Sequence, residues 1–211
     1  RIEDTDKERS TPEHEASIIE GLQWLNINWD NETLYRQSER TAIYKLHLEK
    51  MISDKTKVII LNAPHNPTGF LFTKKEQQAI VELARAKNIL IFCDEVYREL
   101  EHDPSFAIPA FADIYENGIS VGVMSKAYGL PGLRIGWLAT QNQEILDKVG
   151  MLKEYTTICN SGPSEFLAGV ALRNRQSILD RNLQIVQTNL PLYDNFFNKY
   201  ADLFSWYRPN A

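Results

Sequence analysis

The stretch ISVGVMSKAYGLPGLRIGWLA, residues 119–139, says most about the fold of this chain. It begins and ends with short apolar runs, and each run predicts a buried strand. The turn between them is rich in glycine and proline and holds Ser125 and Lys126, with Arg134 eight residues after the lysine. A lysine amine can form a Schiff base with an aldehyde, and serine and arginine can bind a phosphate. The stretch therefore predicts two strands and a binding site for a small molecule that carries both groups.

Two more apolar runs occur earlier in the chain, and helical patterns alternate with the four runs. The runs predict strands over 58–61, 89–93, 119–124 and 135–139, the first of them buried on both faces. A capping-box pattern at Thr73 predicts the start of a helix, and apolar spacing predicts helices over 142–153, 163–173 and 175–200. This alternation is typical of an α/β fold with a mainly parallel sheet flanked by helices. The charge-dense residues 1–50 predict a helical amino-terminal segment.

Three of the predicted strands end shortly before a residue with a functional side chain. These residues are Asn66, Asp94 and Lys126. Ligands of parallel sheets bind beyond the carboxyl ends of the strands, where successive loops face one crevice. We therefore expect the three side chains to lie around one binding site.

An aldehyde and a phosphate on one small molecule describe pyridoxal phosphate, and the expected site contains the groups that this cofactor needs. Lys126 supplies the amine for a Schiff base. Asp94 supplies a carboxylate that can keep the pyridine nitrogen protonated, so that the ring acts as an electron sink. Asn66 and Tyr97 can donate hydrogen bonds to the phenolic oxygen. The serine and the arginine of the turn can bind the phosphate.

These residues belong to three motifs, NPTG at 66–69, DEVY at 94–97 and SKAYGLPGLRIG at 125–136. In order and spacing, the motifs resemble the successive signatures of class I/II aminotransferases, which are fold-type-I pyridoxal-phosphate enzymes. The resemblance covers about residues 53–211. It implies part of the large domain of that fold, pyridoxal 5'-phosphate as cofactor, an amino acid and a 2-oxo acid as substrates, and a homodimer. It also implies that Lys126 is catalytic and that the cofactor contacts are Asn66, Asp94, Tyr97, Ser125 and Arg134.

Both ends of the chain bear on its activity. The chain begins at Arg1 without a methionine and has no clear stop at its other end, so we expect both ends to be cuts within longer sequences. No residue matches the arginine that binds the substrate carboxylate in this family. Because catalysis needs a complete, preorganised site, a chain inactive in this truncated form is an alternative to an active aminotransferase.

Residues 1–50 resemble a different family. RIEDTDKERSTP at 1–12, GLQWL at 21–25 and YRQSER at 35–40 are similar to the catalytic domain of bacterial glutamyl-tRNA synthetases, although both ATP-binding motifs of that family are missing. This resemblance implies a synthetase-like fragment over 1–50, an aminotransferase large-domain fragment over 53–211 and a join within 44–54. A fragment that binds glutamate or tRNA, and a non-catalytic chimera, are therefore further alternatives.

Composition excludes several classes of protein. A net charge of −5 argues against a general nucleic-acid surface, so tRNA is a partner only under the synthetase alternative. Two cysteines are too few for a disulfide scaffold and fit a reducing cytosol, so we expect a cytoplasmic protein. No apolar run is long enough to span a membrane. The four histidines are dispersed along the sequence and predict no metal site.

Overall fold

The computed structural model describes residues 52–211 and, near the amino end, residues 16, 19–21, 23 and 24. The chain divides into two units, one of residues 56–190 with 209–211 and the other of residues 1–55 with 191–208. All four strands and every candidate site residue belong to the first unit.

The first unit contains a four-stranded sheet in the order β1-β2-β3-β4. Its strands are β1 (Val58–Asn62), β2 (Leu90–Asp94), β3 (Gly118–Val123) and β4 (Gly136–Thr140). β2 pairs in parallel with β1 and with β3, whereas β4 pairs antiparallel with β3. The prediction of an α/β fold with a mainly parallel sheet is confirmed. The chain therefore reverses direction within residues 124–135, between β3 and β4.

Five helices accompany the sheet in the described residues. They are α1 (Lys74–Ala86), α2 (Phe111–Ile114), α3 (Gln143–Thr156), α4 (Gly162–Arg173) and α5 (Arg175–Lys199). The capping box at the start of α1 is confirmed: Thr73 Oγ1 accepts from the Glu76 amide at 3.2 Å, and the Glu76 carboxylate accepts from the Thr73 amide at 2.8 Å. α1 packs against β2, and α2 packs against β3 and β4.

β1 corrects one prediction. The run 58–61 predicts a strand buried on both faces, yet Ile60 is 76% exposed and Val58 is 42% exposed. Val58 and Ile60 are two residues apart and so point to the same face of the sheet, and that face of β1 is open to solvent in the described structure. An apolar run therefore predicted the strand correctly and its burial wrongly.

Two groups of buried side chains hold the first unit together. The first lies between the sheet and helices α1 and α2 and includes Val81, Ile91, Phe111 and Tyr115. Within it, the Tyr115 hydroxyl donates a 2.7 Å hydrogen bond to the carbonyl of Ile89. The second group lies beneath the turn that follows β3 and consists of Met124, Ala127, Tyr128, Ala168, Ala171 and Leu179.

The second unit contains an aromatic cluster around the end of α5. Phe197 stacks on Trp206 with ring centroids 4.6 Å apart, and Trp206 Nε1 donates to the Asp194 carboxylate at 2.8 Å. The six described residues between 16 and 24 are helical, in line with the predicted helical segment. The remainder of residues 1–50 lies outside the described residues.

No helix in the described part of the chain is long and apolar enough to cross a membrane.

Candidate active site

The carboxyl ends of β1 and β2 are level, and β3 continues two residues further. Asn62 lies opposite Asp94 in the register of the sheet, and Asp94 lies opposite Val121. The ladder continues past the strand ends, because the Ala63 amide donates to the Asp94 carbonyl and the Glu95 amide donates to the Val121 carbonyl, both at 3.0 Å. Three segments therefore leave the same edge of the sheet. We call them the first turn (63–70), the second turn (95–99) and the third turn (124–134).

Asn66 on the first turn and Tyr97 on the second turn lie in contact, as the two predicted ligands of one oxygen should. Asn66 Nδ2 donates a 3.1 Å hydrogen bond to the Tyr97 hydroxyl. An amide nitrogen carries two hydrogens, and a hydroxyl that accepts a bond keeps its own hydrogen. The pair can therefore offer two further donors to an anionic oxygen placed beside it.

Lys126 lies on the third turn, close to the same pair. Its Nζ is 5.5 Å from the centroid of the Tyr97 ring. The backbone beneath it is held firmly, since the Gly129 amide donates to the Lys126 carbonyl and Asn182 Nδ2 donates to the Ala127 carbonyl, both at 2.9 Å. The lysine side chain itself is exposed. An exposed amine on a rigid turn is available for chemistry in a fixed position.

Asp94 ends β2 and is half-buried. One carboxylate oxygen, Oδ1, accepts a 3.1 Å hydrogen bond from the Val96 amide, which orients the group. A carboxylate has about four acceptor positions, so it can take another donor. Beside it in the sheet, the side-chain oxygen of Asn62 is buried without a hydrogen-bond partner. Two acceptors at this edge are therefore able to receive a donor such as a protonated ring nitrogen.

Ser125 and Arg134, the predicted phosphate ligands, lie at the two ends of the third turn. Arg134 is exposed and has a left-handed backbone with φ of 56°. Its Nη1 donates to the Pro131 carbonyl at 3.2 Å, which leaves most of the five guanidinium hydrogens free to bind an anion. No hydrogen bond joins Ser125 to Arg134 in the described part of the chain, so both side chains keep donors for an anion.

A cavity of about 240 Å³ lies beside the Asn66–Tyr97 pair. Its other lining residues include Pro64, Leu100 and Pro209. Neither Asp94 nor Lys126 lines it. Ligand pockets commonly measure about 300 to 1,000 Å³, so this cavity alone is small for a cofactor. Of the six predicted residues, Asn66 and Tyr97 line this cavity.

Two carboxylates at the site have roles that motif analysis missed. Glu95 is buried, and its Oε1 accepts from the Phe111 amide at 3.0 Å and from Ser120 Oγ at 2.8 Å. Burial raises the pKa of this carboxyl group. Glu99 accepts a hydrogen bond from Tyr128 on the third turn. The place of Glu95 inside the DEVY motif was a usable signal, whereas no sequence pattern connects Glu99 with Tyr128.

A comparison with known protein families identifies the family of this chain. The family described as aminotransferase class I and II matches residues 11–208. The chain belongs to this family. Pyridoxal phosphate is therefore the cofactor that family membership implies, and the sheet and its helices correspond to part of the large domain of fold-type-I enzymes.

Individual relatives support the assignment. Capreomycidine synthase of Streptomyces vinaceus is 30% identical over 67% of this chain and 36% of its own length. A probable aspartate aminotransferase of Methanocaldococcus jannaschii is 28% identical over 80% of this chain and 46% of its own length. Among solved structures, a PLP-dependent aminotransferase from Streptococcus suis has 34% identity and a TM-score of 0.72, over 79% of this chain and 43% of that one. The chain thus spans less than half the length of these relatives.

The match also bears on the amino-terminal segment. It begins at residue 11 and so takes in most of the segment whose motifs resemble glutamyl-tRNA synthetases. That second resemblance is without support. Short charged motifs are weak signals, because solvated faces of unrelated proteins share their composition. A domain boundary between residues 50 and 53 stays a prediction.

The donor set on this edge of the sheet fits pyridoxal phosphate. Lys126 offers an amine, and Asp94 offers a carboxylate beside a second unfilled acceptor. The Asn66–Tyr97 pair offers donors suited to a phenolic oxygen. In the described residues, no three His, Cys, Asp or Glu side chains are grouped as a metal site requires.

Proposed function

We propose that this chain is part of a pyridoxal-phosphate-dependent aminotransferase, which transfers an amino group between an amino acid and a 2-oxo acid. One observation supports the proposal most strongly. The amine of Lys126 lies 5.5 Å from the ring of Tyr97, whose hydroxyl is bonded to Asn66, although these residues come from three separate segments of the chain. Because the chain spans less than half of its relatives, the activity and substrates of the whole protein belong to this proposal.

Each candidate residue then has a role that follows from its chemistry. The Nζ of Lys126 would hold the cofactor at its aldehyde carbon, whose oxygen leaves as water, and, once the substrate amine has displaced it, would move a proton at the substrate Cα. Asp94 would hold the proton on the pyridine nitrogen, and Asn66 with Tyr97 would donate to the phenolic oxygen. The other two residues, Ser125 and Arg134, would bind the phosphate, the arginine with two parallel hydrogen bonds.

When bound, pyridoxal phosphate supplies an electron sink that stabilises negative charge at the substrate Cα. The protein contributes position and charge. Backbone hydrogen bonds within the third turn hold Lys126 in place. Its amine would therefore be positioned to take a proton from the substrate Cα and to return it to the former aldehyde carbon of the cofactor. The carboxylate of Asp94 would keep the pyridine nitrogen protonated, because the ring withdraws electrons weakly when this nitrogen is neutral.

A homodimer and a cytoplasmic location complete the proposal. Active sites shared between two subunits, which the family resemblance implies, support the dimer. Cys93 and Cys159 are both free thiols, as expected in a reducing compartment.

The proposal is tested by adding pyridoxal phosphate, reducing the complex with borohydride and mapping the adduct by mass spectrometry. We expect one adduct, on Lys126, and its loss in Lys126→Ala. Lys148→Ala is the matched control, because Lys148 is an exposed lysine paired with Glu144 on α3. An adduct that persists in Lys126→Ala would contradict the proposal.

Amino transfer is measured next, by mixing the loaded chain with amino acids and 2-oxo acids and following the conversion of one into the other. Transfer supports the whole proposal. An adduct on Lys126 without transfer means that this chain holds the cofactor but lacks parts needed for turnover.

A further inference from the structure

Two side-chain hydrogen bonds connect the three turns of the candidate site. Asn66 and Tyr97 connect the first turn to the second. The Tyr128 hydroxyl donates to Glu99 Oε2 at 3.1 Å and so connects the second turn to the third, which carries Lys126. The proposed aminotransferase function gives a role to the bond between Asn66 and Tyr97. It gives none to the bond between Tyr128 and Glu99.

Glu99 adopts a backbone conformation that favours glycine. Its φ is 72°, in the left-handed region, which residues with a side chain rarely adopt. Such a conformation persists where surrounding contacts enforce it. Here the carboxylate has a partner on each side, because Oε2 accepts from Tyr128 and Oε1 lies 3.6 Å from Arg175 Nη2 at the start of α5. The glutamate side chain therefore has a specific task at this position.

Tyr128 provides a rigid end for this bond. It is 7% exposed and belongs to the buried cluster beneath the third turn. Burial raises the pKa of its hydroxyl, and the nearby Glu99 carboxylate raises it further, so the phenol keeps its proton and donates it. Tyr128 lies two residues after Lys126, and the Gly129 amide donates to the Lys126 carbonyl. A displacement of Tyr128 would therefore move the backbone of Lys126.

We propose that Glu99 is a positioning residue that holds the second turn against the third through Tyr128, and so sets the place of the Lys126 amine relative to Tyr97. This inference rests on the proposed aminotransferase function. Without the bond, the second turn would still be fixed at its Glu95 end, and the packing of Leu100 against the buried cluster would remain, but the hydrogen bond that sets the distance of its far end from the third turn would be lost. The 5.5 Å separation of Lys126 Nζ from the Tyr97 ring would then vary.

The test uses Tyr128→Phe, which removes one hydroxyl and keeps the buried ring, and Glu99→Gly, which suits the left-handed backbone and removes the carboxylate. Each should weaken binding of pyridoxal phosphate about fivefold, the effect of one lost hydrogen bond. Each should also reduce the visible circular dichroism per bound cofactor, because that signal depends on fixed surroundings. Glu99→Gln keeps an acceptor for Tyr128 and should restore most of both signals. The control is Tyr155→Phe, because Tyr155 is 93% exposed.

The double variant separates coupling from independent damage. Glu99→Gly and Tyr128→Phe together should bind the cofactor no worse than Glu99→Gly alone, since Tyr128→Phe removes a bond that Glu99→Gly has already removed. Additive losses, or wild-type affinity and dichroism in both single variants, would overturn the inference while an adduct on wild-type Lys126 leaves the proposed function standing. Absence of that adduct from the wild-type chain would overturn both. If Glu99→Gly fails to fold, Tyr128→Phe alone decides the question.

Discussion

Replacing Glu95 with alanine should destabilise the first unit strongly. The side chain is 7% exposed, and its Oε1 accepts from the Phe111 amide at 3.0 Å and from Ser120 Oγ at 2.8 Å. Alanine leaves the buried Phe111 amide without an acceptor, which costs about 1 to 3 kcal/mol, and removes a second bond to a charged group. Ser120 Oγ keeps its bond from the Ala112 amide, which limits the loss. We expect the free energy of unfolding to fall by about 3 kcal/mol.

Urea unfolding at pH 7, followed by far-ultraviolet circular dichroism, measures this loss. With a urea dependence of about 1 to 3 kcal/mol per molar, the midpoint should fall by about 1 to 3 M. Glu95→Gln keeps an acceptor oxygen and should cost far less. Glu116→Ala is the matched control, because it removes an exposed carboxylate paired with Arg85. The reasoning is refuted if Glu95→Ala unfolds within about 0.5 M of the wild type, or if glutamine and alanine are equally damaging.

Two further predictions concern pH and the start of α1. Burial raises the pKa of Glu95 above its ordinary 4.5, so the native state binds this proton more tightly than the unfolded chain. The contribution of Glu95 to stability is therefore full below pH 4.5 and falls as pH rises towards the raised native value. Thermal unfolding at a series of pH values should show this fall, and Glu95→Gln should flatten it; parallel curves would count against the assignment. Thr73→Ala removes the capping box of α1 and should cost about 1 kcal/mol in urea unfolding, whereas Thr73→Ser should be nearly neutral.

Local sequence patterns predicted the elements of this fold well. Apolar runs placed all four strands within one residue of their observed bounds, and Thr73 with Glu76 marked the start of α1. These signals are reliable because they depend on neighbours in the sequence, such as a side chain that caps a helix three residues on. The motifs around Asn66, Asp94 and Lys126 placed these residues at one edge of the sheet for a similar reason, since Asp94 ends its strand and the other two follow theirs within a few residues.

Properties that depend on distant neighbours were predicted less well. The apolar run of β1 indicated burial on both faces, but Ile60 is exposed because the face of β1 to which it and Val58 point is open to solvent in the described structure. Charged motifs in residues 1–50 indicated a synthetase, whereas the aminotransferase match begins at residue 11. In both cases the local sequence pattern is present, but the conclusion drawn from it also depended on residues distant in the sequence.

The sequence by itself determined which chemical groups this protein can present and that they follow the ends of parallel strands. Residue type and spacing are enough for that, because a strand carries its following loop to a known edge of the sheet. Only the tertiary structure decided how the loops are held together. The bonds from Asn66 to Tyr97 and from Tyr128 to Glu99 join residues about thirty positions apart. Such pairs form when the packing of the whole unit brings two side chains within 3 Å or so of each other, and that distance is not encoded in any local pattern.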